Sequence, residues 1–317
     1  MSIWLVTGGA GFIGSHLVEA LIARGDRVRV LDNLSTGKRE HLPKRAELIV
    51  GDVAEDRVVA RAADGVSGIF HLAAVASVQR CREDWIDSHR TNLTGTIAVF
   101  DAARRQNPAL PVVYASSAAV YGNSDRLPLR ESDPPSPISA YGVDKLACEL
   151  HGRIAWSVHG VANSGLRLFN VYGPRQDPTS PYSGVIAIFA GRLASGDSVD
   201  VFGDGRQTRD FIFVRDVVAH FLVAMDGLGD GAHVFNVCTG RSTSVLELVD
   251  TMGRVMGTTP QMRHLPKRIG DIEASLGDPE AARRRLRASA TTSLFDGLQC
   301  TLAGVDRTHG LPAAPVA

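Results

Sequence analysis

The chain has 317 residues, with 34 basic and 34 acidic side chains and no net charge at neutral pH. That balance offers no field for nucleic acid or an anionic membrane, so any phosphate-binding charge must be local. Four cysteines (Cys81, Cys148, Cys238 and Cys300) are too few and too scattered for a disulfide framework or a zinc site; reduced thiols and no metal are expected.

Ile3–Thr7 reads as a short buried strand. Gly8, Gly11 and Gly14 follow at three-residue spacing, and 12–24 reads as an amphipathic helix. Such glycines allow a tight turn and close approach of the backbone to a pyrophosphate, which the helix N-terminus attracts. A second strand, 27–31, ends in Asp32. An acid there accepts hydrogen bonds from a ribose 2′-hydroxyl and repels a 2′-phosphate, which favours NAD over NADP. Strand, glycines, helix, strand and acid in this order form a specific dinucleotide signature.

Further strands are expected at 48–50, Gly68–His71, 111–116 and 164–168, with long helices at 84–106 and Ala140–His159. This alternation predicts an α/β fold, a Rossmann-like doubly wound parallel sheet with helices on both faces. After Asn170 the texture changes. Residues 177–184 are rich in Pro, Ser and Gly and read as loop, and helices near 185–195, Val214–Asp226 and 244–257 read as a smaller lobe. The expected division is an NAD-binding domain at 1–170 and a mainly substrate-binding α/β lobe at 171–317. The tail beyond 283 loses its periodicity, and 304–317 is expected to be poorly ordered. No apolar run reaches the roughly 18 residues of a membrane span. The sequence enters a strand almost at once, leaving no room for a signal peptide, so a cytoplasmic location is expected.

Two stretches carry chemistry. The strand 112–117 ends in Ser116 and Ser117, where a hydroxyl faces the crevice in which parallel sheets bind ligands. Ser117 is read as the residue that meets a substrate oxygen, and Ser116 as the one that caps the next turn. Tyr141 and Lys145 stand four apart on one helix face. A cation beside a phenol favours the phenolate, which makes Tyr141 usable as a base. Alone, such a pair is most often a solvated helix face; the dinucleotide signature and the serine strand end argue for catalysis.

Nine motifs lie in order over roughly residues 3–280. They are T-G-G-A-G-F-I-G-S-H at 7–16, D-N-L-S-T-G at 32–37, G-D-V at 51–53, H-L-A-A at 71–74 and S-S-A-A-V-Y-G at 116–122. Y-G-V-D-K at 141–145, L-F-N-V-Y-G-P-R-Q at 168–176, F-G-D-G-R-Q-T-R-D-F from 202 and R-I-G-D from 268 complete the set. On these motifs the chain resembles the extended short-chain dehydrogenases/reductases, and within them the UDP-sugar 4-epimerases.

The resemblance implies transient oxidation at C4 of a UDP-hexose by tightly held NAD. Tyr141 takes the 4-hydroxyl proton, Lys145 supports the Tyr and holds the nicotinamide ribose, and Ser117 steadies the oxygen. The 4-keto sugar turns in the pocket and is reduced on its other face. Gly8, Gly11, Phe12, Ile13, Gly14, Asp32, Asn33, Ser35, Thr36 and Gly37 are implied around NAD. Asp52 and Val53 are expected at the adenine, and Leu72, Ala73 and Ala74 along the diphosphate and ribose. Asn92 is grouped with the cofactor residues as a buried support of the active-site backbone. For the substrate, the resemblance implies Ala76, Ser77 and Ser117, with Asn170, Arg209 and Arg268 at the diphosphate. It also implies Asp271 at the uridine ribose and Val185, Asp200 and Phe202 at the uracil.

Related dehydratases and decarboxylases carry acids just after the strand-end hydroxyl, where this chain has Ala118 and Ala119. That difference favours plain epimerisation. Ser275 stands where glucose/galactose-restricted epimerases tend to have Tyr, and Gln176, Gly184 and Ser77 match pocket positions of N-acetylhexosamine epimerases. UDP-GlcNAc/UDP-GalNAc interconversion is therefore expected, with UDP-Glc/UDP-Gal as a second pair and polysaccharide synthesis as the setting. Alternatives are a UDP-glucuronate 4-epimerase, with Arg175 or Arg192 meeting the carboxylate, an NAD(P)-dependent sugar-nucleotide reductase, and a silent nucleotide-binding protein. The two long helices imply a homodimer through a four-helix bundle.

Overall fold

The structure, a computed structural model, describes residues 2–177, 184–267 and 272–309. Six strands run through the first half: β1 (Ile3–Thr7), β2 (Arg27–Asp32), β3 (Glu47–Val50), β4 (Gly68–His71), β5 (Val112–Ser117) and β6 (Asn163–Leu168). With the later strand Ala232–Val237 they make one parallel sheet, in the order Ala232–Val237, β6, β5, β4, β1, β2, β3. The order reverses between β1 and β4, so a crevice opens beyond their carboxyl ends.

Near-continuous apolar strands bury both faces. Leu5, Leu31, Ile69 and Val112 face one side, under α2 (Asp56–Ala63), α5 (Gly95–Arg104) and α6 (Ala140–His159). Their neighbours Val6, Val30, Phe70 and Val113 face the other, under α1 (Phe12–Ala23) and α8 (Val214–Asp226). Two short helices, α3 (Val78–Glu83) and α4 (Trp85–His89), lie between β4 and α5.

The smaller lobe packs α7 (Val185–Ala194), α9 (Val245–Met256) and α10 (Leu294–His309) around Tyr172, Val199, Val201 and Phe213. It has short two-stranded ribbons instead of a large sheet, pairing Asn170–Tyr172 with Phe211–Phe213 and Val199–Phe202 with Met262–Leu265.

Three expectations change. A boundary at 170 does not divide the lobes cleanly, because α8 and Ala232–Val237 belong to the main sheet layer. The helix expected at 84–106 runs without interruption from Trp85 to Arg104 but is not uniform: α4 passes into a wide π turn, Arg90–Thr94, before α5. Asn92 lies in that turn and reaches inward to hold Val75 at both its N–H and its carbonyl. Helix at the C-terminus extends further than expected, since α10 runs to His309, and it buries Leu298 and Leu302, one turn apart, in the small lobe. Of the loop expected at 177–184, residues 178–183 lie outside the described part.

Candidate active site

A cavity of about 1200 Å³ runs across the carboxyl ends of β1, β2, β4 and β5 and under the small lobe. Gly8 opens its floor with φ +68°, and a Cβ there would come within 2.6 Å of the Ala73 amide nitrogen. At Gly14 a Cβ would stand 2.1 Å from the Gly8 carbonyl oxygen, so only glycine lets α1 approach this turn. The N-cap of α1 is Gly11, which offers no side-chain cap, and the first turn holds no acid. The unpaired first-turn N–H groups and the helix dipole therefore meet the cavity without a protein anion to satisfy them. Asp32 is buried at the end of β2 and accepts from Ala10 N–H at 2.9 Å and Leu34 N–H at 2.8 Å. An uncapped helix end and a fixed acid on one cavity wall fit the pyrophosphate and ribose of a dinucleotide.

Gly8, Gly11, Phe12, Ile13, Gly14, Asp32, Asn33, Ser35, Thr36 and Gly37 all line the cavity, as do Asp52, Val53, Leu72, Ala73 and Ala74. Asn92 does not. It sits behind the wall, its amide spent on Val75, while Thr96 Oγ1 donates to its carbonyl at 2.7 Å. His71 continues this buried chain, bonding Thr7 Oγ1 at 2.7 Å and Thr96 Oγ1 at 2.9 Å. Burial, reinforced by the positive charge of Lys145, pushes its pKa down to about 3, so the ring is neutral and bridges two hydroxyls.

The catalytic candidates meet at the same cavity. Ser139 caps α6, accepting from Gly142 N–H at 3.1 Å, and this sets Tyr141 in the first turn at the cavity rim. Lys145 Nζ lies 5.8 Å from the centre of the Tyr141 ring and donates to the Ala115 carbonyl at 2.9 Å. Ser117 lines the cavity as well. The turn role expected of Ser116 is not kept. Ser117, not Ser116, caps the turn, accepting from Ala119 N–H at 3.1 Å, and its own O–H stays available to a ligand. Ser116 is buried and donates to Glu149 Oε1 at 2.6 Å. Alternation from Val112 and Tyr114 already puts Ser116 on the face under α6.

At the other end, Ala76, Ser77, Asn170, Gln176, Gly184, Arg209 and Ser275 line the cavity. Ser77 also caps α3 through Arg80 N–H at 3.1 Å. Gln176 donates to the Val171 carbonyl at 3.2 Å, and its buried Oε1 has no hydrogen-bond partner among the described residues. Val185, Asp200 and Phe202 are not brought to the lining. The Asp200 carboxylate is instead held by Arg192 at 2.8 Å and Arg263 at 2.7 Å. Arg268 and Asp271 lie outside the described residues.

Cavity residues that the motifs do not single out include Lys38, His41 and Arg80, and Arg175, named above only for a uronate carboxylate, lines the cavity too. Arg175 is the most informative. It adopts φ +72° and donates to Ser15 Oγ and to Glu19 on α1, clipping the loop after β6 onto the first helix. Its place directly before Gln176 in the 168–176 motif is the signal that points to it.

Residues 4–238 match the NAD dependent epimerase/dehydratase family. The chain belongs to that family. NAD is its cofactor. The UDP-glucose 4-epimerase of Mycolicibacterium smegmatis is 36% identical over 304 residues, covering 94% of this chain and 96% of that one. The UDP-glucose 4-epimerase of Thermotoga maritima, solved with UDP-glucose, superposes with a TM-score of 0.92 at 36% identity, over 96% of this chain and 99% of that one. The UDP-N-acetylglucosamine 4-epimerase of Methanobrevibacter ruminantium, solved with UDP-N-acetylmuramic acid, gives the same TM-score at 32% identity, over 97% and 99%. Family and relatives together make the chain an NAD-dependent UDP-sugar 4-epimerase.

Proposed function

We propose that the protein inverts C4 of UDP-N-acetylhexosamines, UDP-GlcNAc and UDP-GalNAc, and that it also accepts UDP-Glc and UDP-Gal. The single observation that carries the sugar choice is Ser275, a small side chain lining the cavity at a point where a Tyr would shrink it. Gln176 supports it, since its buried, unpartnered Oε1 is an acceptor that a sugar hydroxyl or an acetamide N–H satisfies. The uronate reading loses support, because Arg175 already has Glu19 and Arg192 already has Asp200.

Bound NAD supplies a reversible two-electron acceptor beside C4. Tyr141 removes the 4-hydroxyl proton and later returns it. The Lys145 ammonium, held at Ala115, stabilises the charge Tyr141 then carries. Ser117 donates its free O–H to the reacting oxygen. Arg209 and Asn170 hold the diphosphate, and Arg268 and Asp271 join them on the nucleotide side. We assign NAD binding to residues 1–170 and sugar-nucleotide binding mainly to 171–317, with α8 and Ala232–Val237 structurally part of the first layer. A homodimer completes the reading. Val143, Leu150, Ile154 and Val158 form an exposed apolar stripe on α6, beside exposed Trp85 and Ile86 on α4.

Proton NMR of purified protein with UDP-GlcNAc, UDP-glucose and UDP-glucuronate, without added cofactor, tests the proposal. Inversion of UDP-GlcNAc is expected, and Ser275→Tyr should cut it about 10–100-fold while sparing UDP-glucose. Inversion of UDP-glucose alone by the unmodified protein would sink the sugar assignment and keep the chemistry.

A further inference from the structure

We infer that the buried Glu149–Arg167 pair is a positioning device for Tyr141 and Lys145; the inference rests on the reading of Tyr141 as the base. Tyr141, Lys145 and Glu149 repeat every four residues on α6 and so share one face. Glu149 Oε1 accepts from Ser116 Oγ at 2.6 Å and from Arg167 Nε at 2.8 Å, and its Oε2 accepts from Arg167 Nη2 at 2.7 Å. All three side chains are buried. Ser116 and Arg167 are register partners across β5 and β6. One carboxylate therefore ties the helix to two neighbouring strands at one level of the sheet.

That level matters because of what flanks Ser116. Ala115 supplies the carbonyl that holds Lys145 Nζ at 2.9 Å, and Ser117 lines the cavity. Holding Ser116 to Glu149 thus sets the height of the Lys145 anchor and of the cavity hydroxyl relative to Tyr141. Arg167 is equally committed. Its guanidinium stacks 4.7 Å from the centre of the Tyr121 ring, and the Tyr121 hydroxyl donates to Asn236 Oδ1 at 2.6 Å.

Buried ion pairs are often replaceable by apolar side chains without loss of stability, so a structural role alone is a weak account of this one. Charge is the stronger one. Glu149 sits one turn, about 6 Å along the axis, from Lys145. Neutralised by Arg167, it leaves Lys145 on Ala115. Without Arg167, the carboxylate draws the ammonium along the helix, away from Tyr141. Without the Glu149 charge, the Arg167 cation remains and acts on Tyr141 in the opposite sense. Other ionisable groups around the pair are Tyr114 from β5, Tyr121, and Cys148 and Arg153 on α6 itself, with Glu131 facing Tyr121. Around Lys145 stand neutral His71 from β4, Cys81 from α3, and Asp144, which bonds His89 of α4.

The test is the pH dependence of kcat for holoenzyme variants. Arg167→Met is expected to move the ascending limb up by about 0.5–1 pH unit, Glu149→Gln to move it down by a similar amount, and the double variant to return near the wild-type limb. Single variants that lose kcat equally at every pH, or limbs that move in the same direction, would overturn the inference. Should Arg167→Met fail to fold, Ser116→Ala takes its place, freeing the carboxylate from one donor and moving the limb up by a few tenths of a unit. Failure of the base assignment looks different: Tyr141→Phe then stays active.

Discussion

The two faces of α6 invert the usual polarity of a surface helix. Its inner face buries Asp144, Lys145 and Glu149, at 3%, 3% and 1% exposure, while its outer face leaves Val143, Leu150, Ile154 and Val158 at 50% or more. A monomeric helix normally turns its apolar stripe to the core. The inner face is bearable because every charge has a partner: Ala115 for Lys145, Arg167 and Ser116 for Glu149, His89 for Asp144. The outer face is exposed, and the proposed homodimer is what would cover it. On the proposed reading, the same twenty residues serve chemistry on one side and assembly on the other.

Breaking the inner face has the largest expected effect. Lys145→Met keeps the length of the side chain and removes the charge, leaving the Ala115 carbonyl without its donor; kcat should fall about 10²–10³-fold at pH 8, measured by C4 inversion. A loss under threefold would remove Lys145 from the chemistry. On the outer face, Leu150→Glu with Ile154→Glu should convert a two-chain particle to one chain in light scattering, with bound NAD retained. An unchanged mass would place the assembly surface elsewhere.

The smallest effect comes from His71, behind the inner face. Burial holds its folded pKa near 3, whereas an unfolded imidazole takes its proton near 6.5. The unfolded state therefore binds more protons below pH 6.5. The stability linked to His71 is complete above that value and is lost as pH falls toward 3, by about 1.4 kcal/mol per unit. Between pH 7.5 and 5.5, wild type should lose about 1.4 kcal/mol more than His71→Asn in urea unfolding. Equal losses would mean that the ring is not held neutral in the fold.

Much of this was legible in the residues. From Ile3 to Asp32, each signal is local: an apolar strand, glycines where a Cβ collides with backbone, and an acid at a strand end. Tyr141 and Lys145 follow from a spacing of four. The π turn at Arg90–Thr94 was not legible, because the helical pattern runs through it and only the distant Val75 explains the inward Asn92. Nor was Asp200, whose carboxylate is claimed by Arg192 and Arg263. α10 hides its purpose in the same way, since Leu298 and Leu302 acquire meaning only from the lobe they fill.

By itself the sequence determined the order of strands and helices, the dinucleotide turn and the Tyr/Lys pair, since periodicity and backbone sterics act over a few residues. Tertiary structure alone decided which groups hold Ser116, which acid pairs with Arg167, and which small-lobe side chains reach the cavity. Those outcomes depend on groups far apart in the chain, whose burial makes each unpaired charge costly and so selects one arrangement.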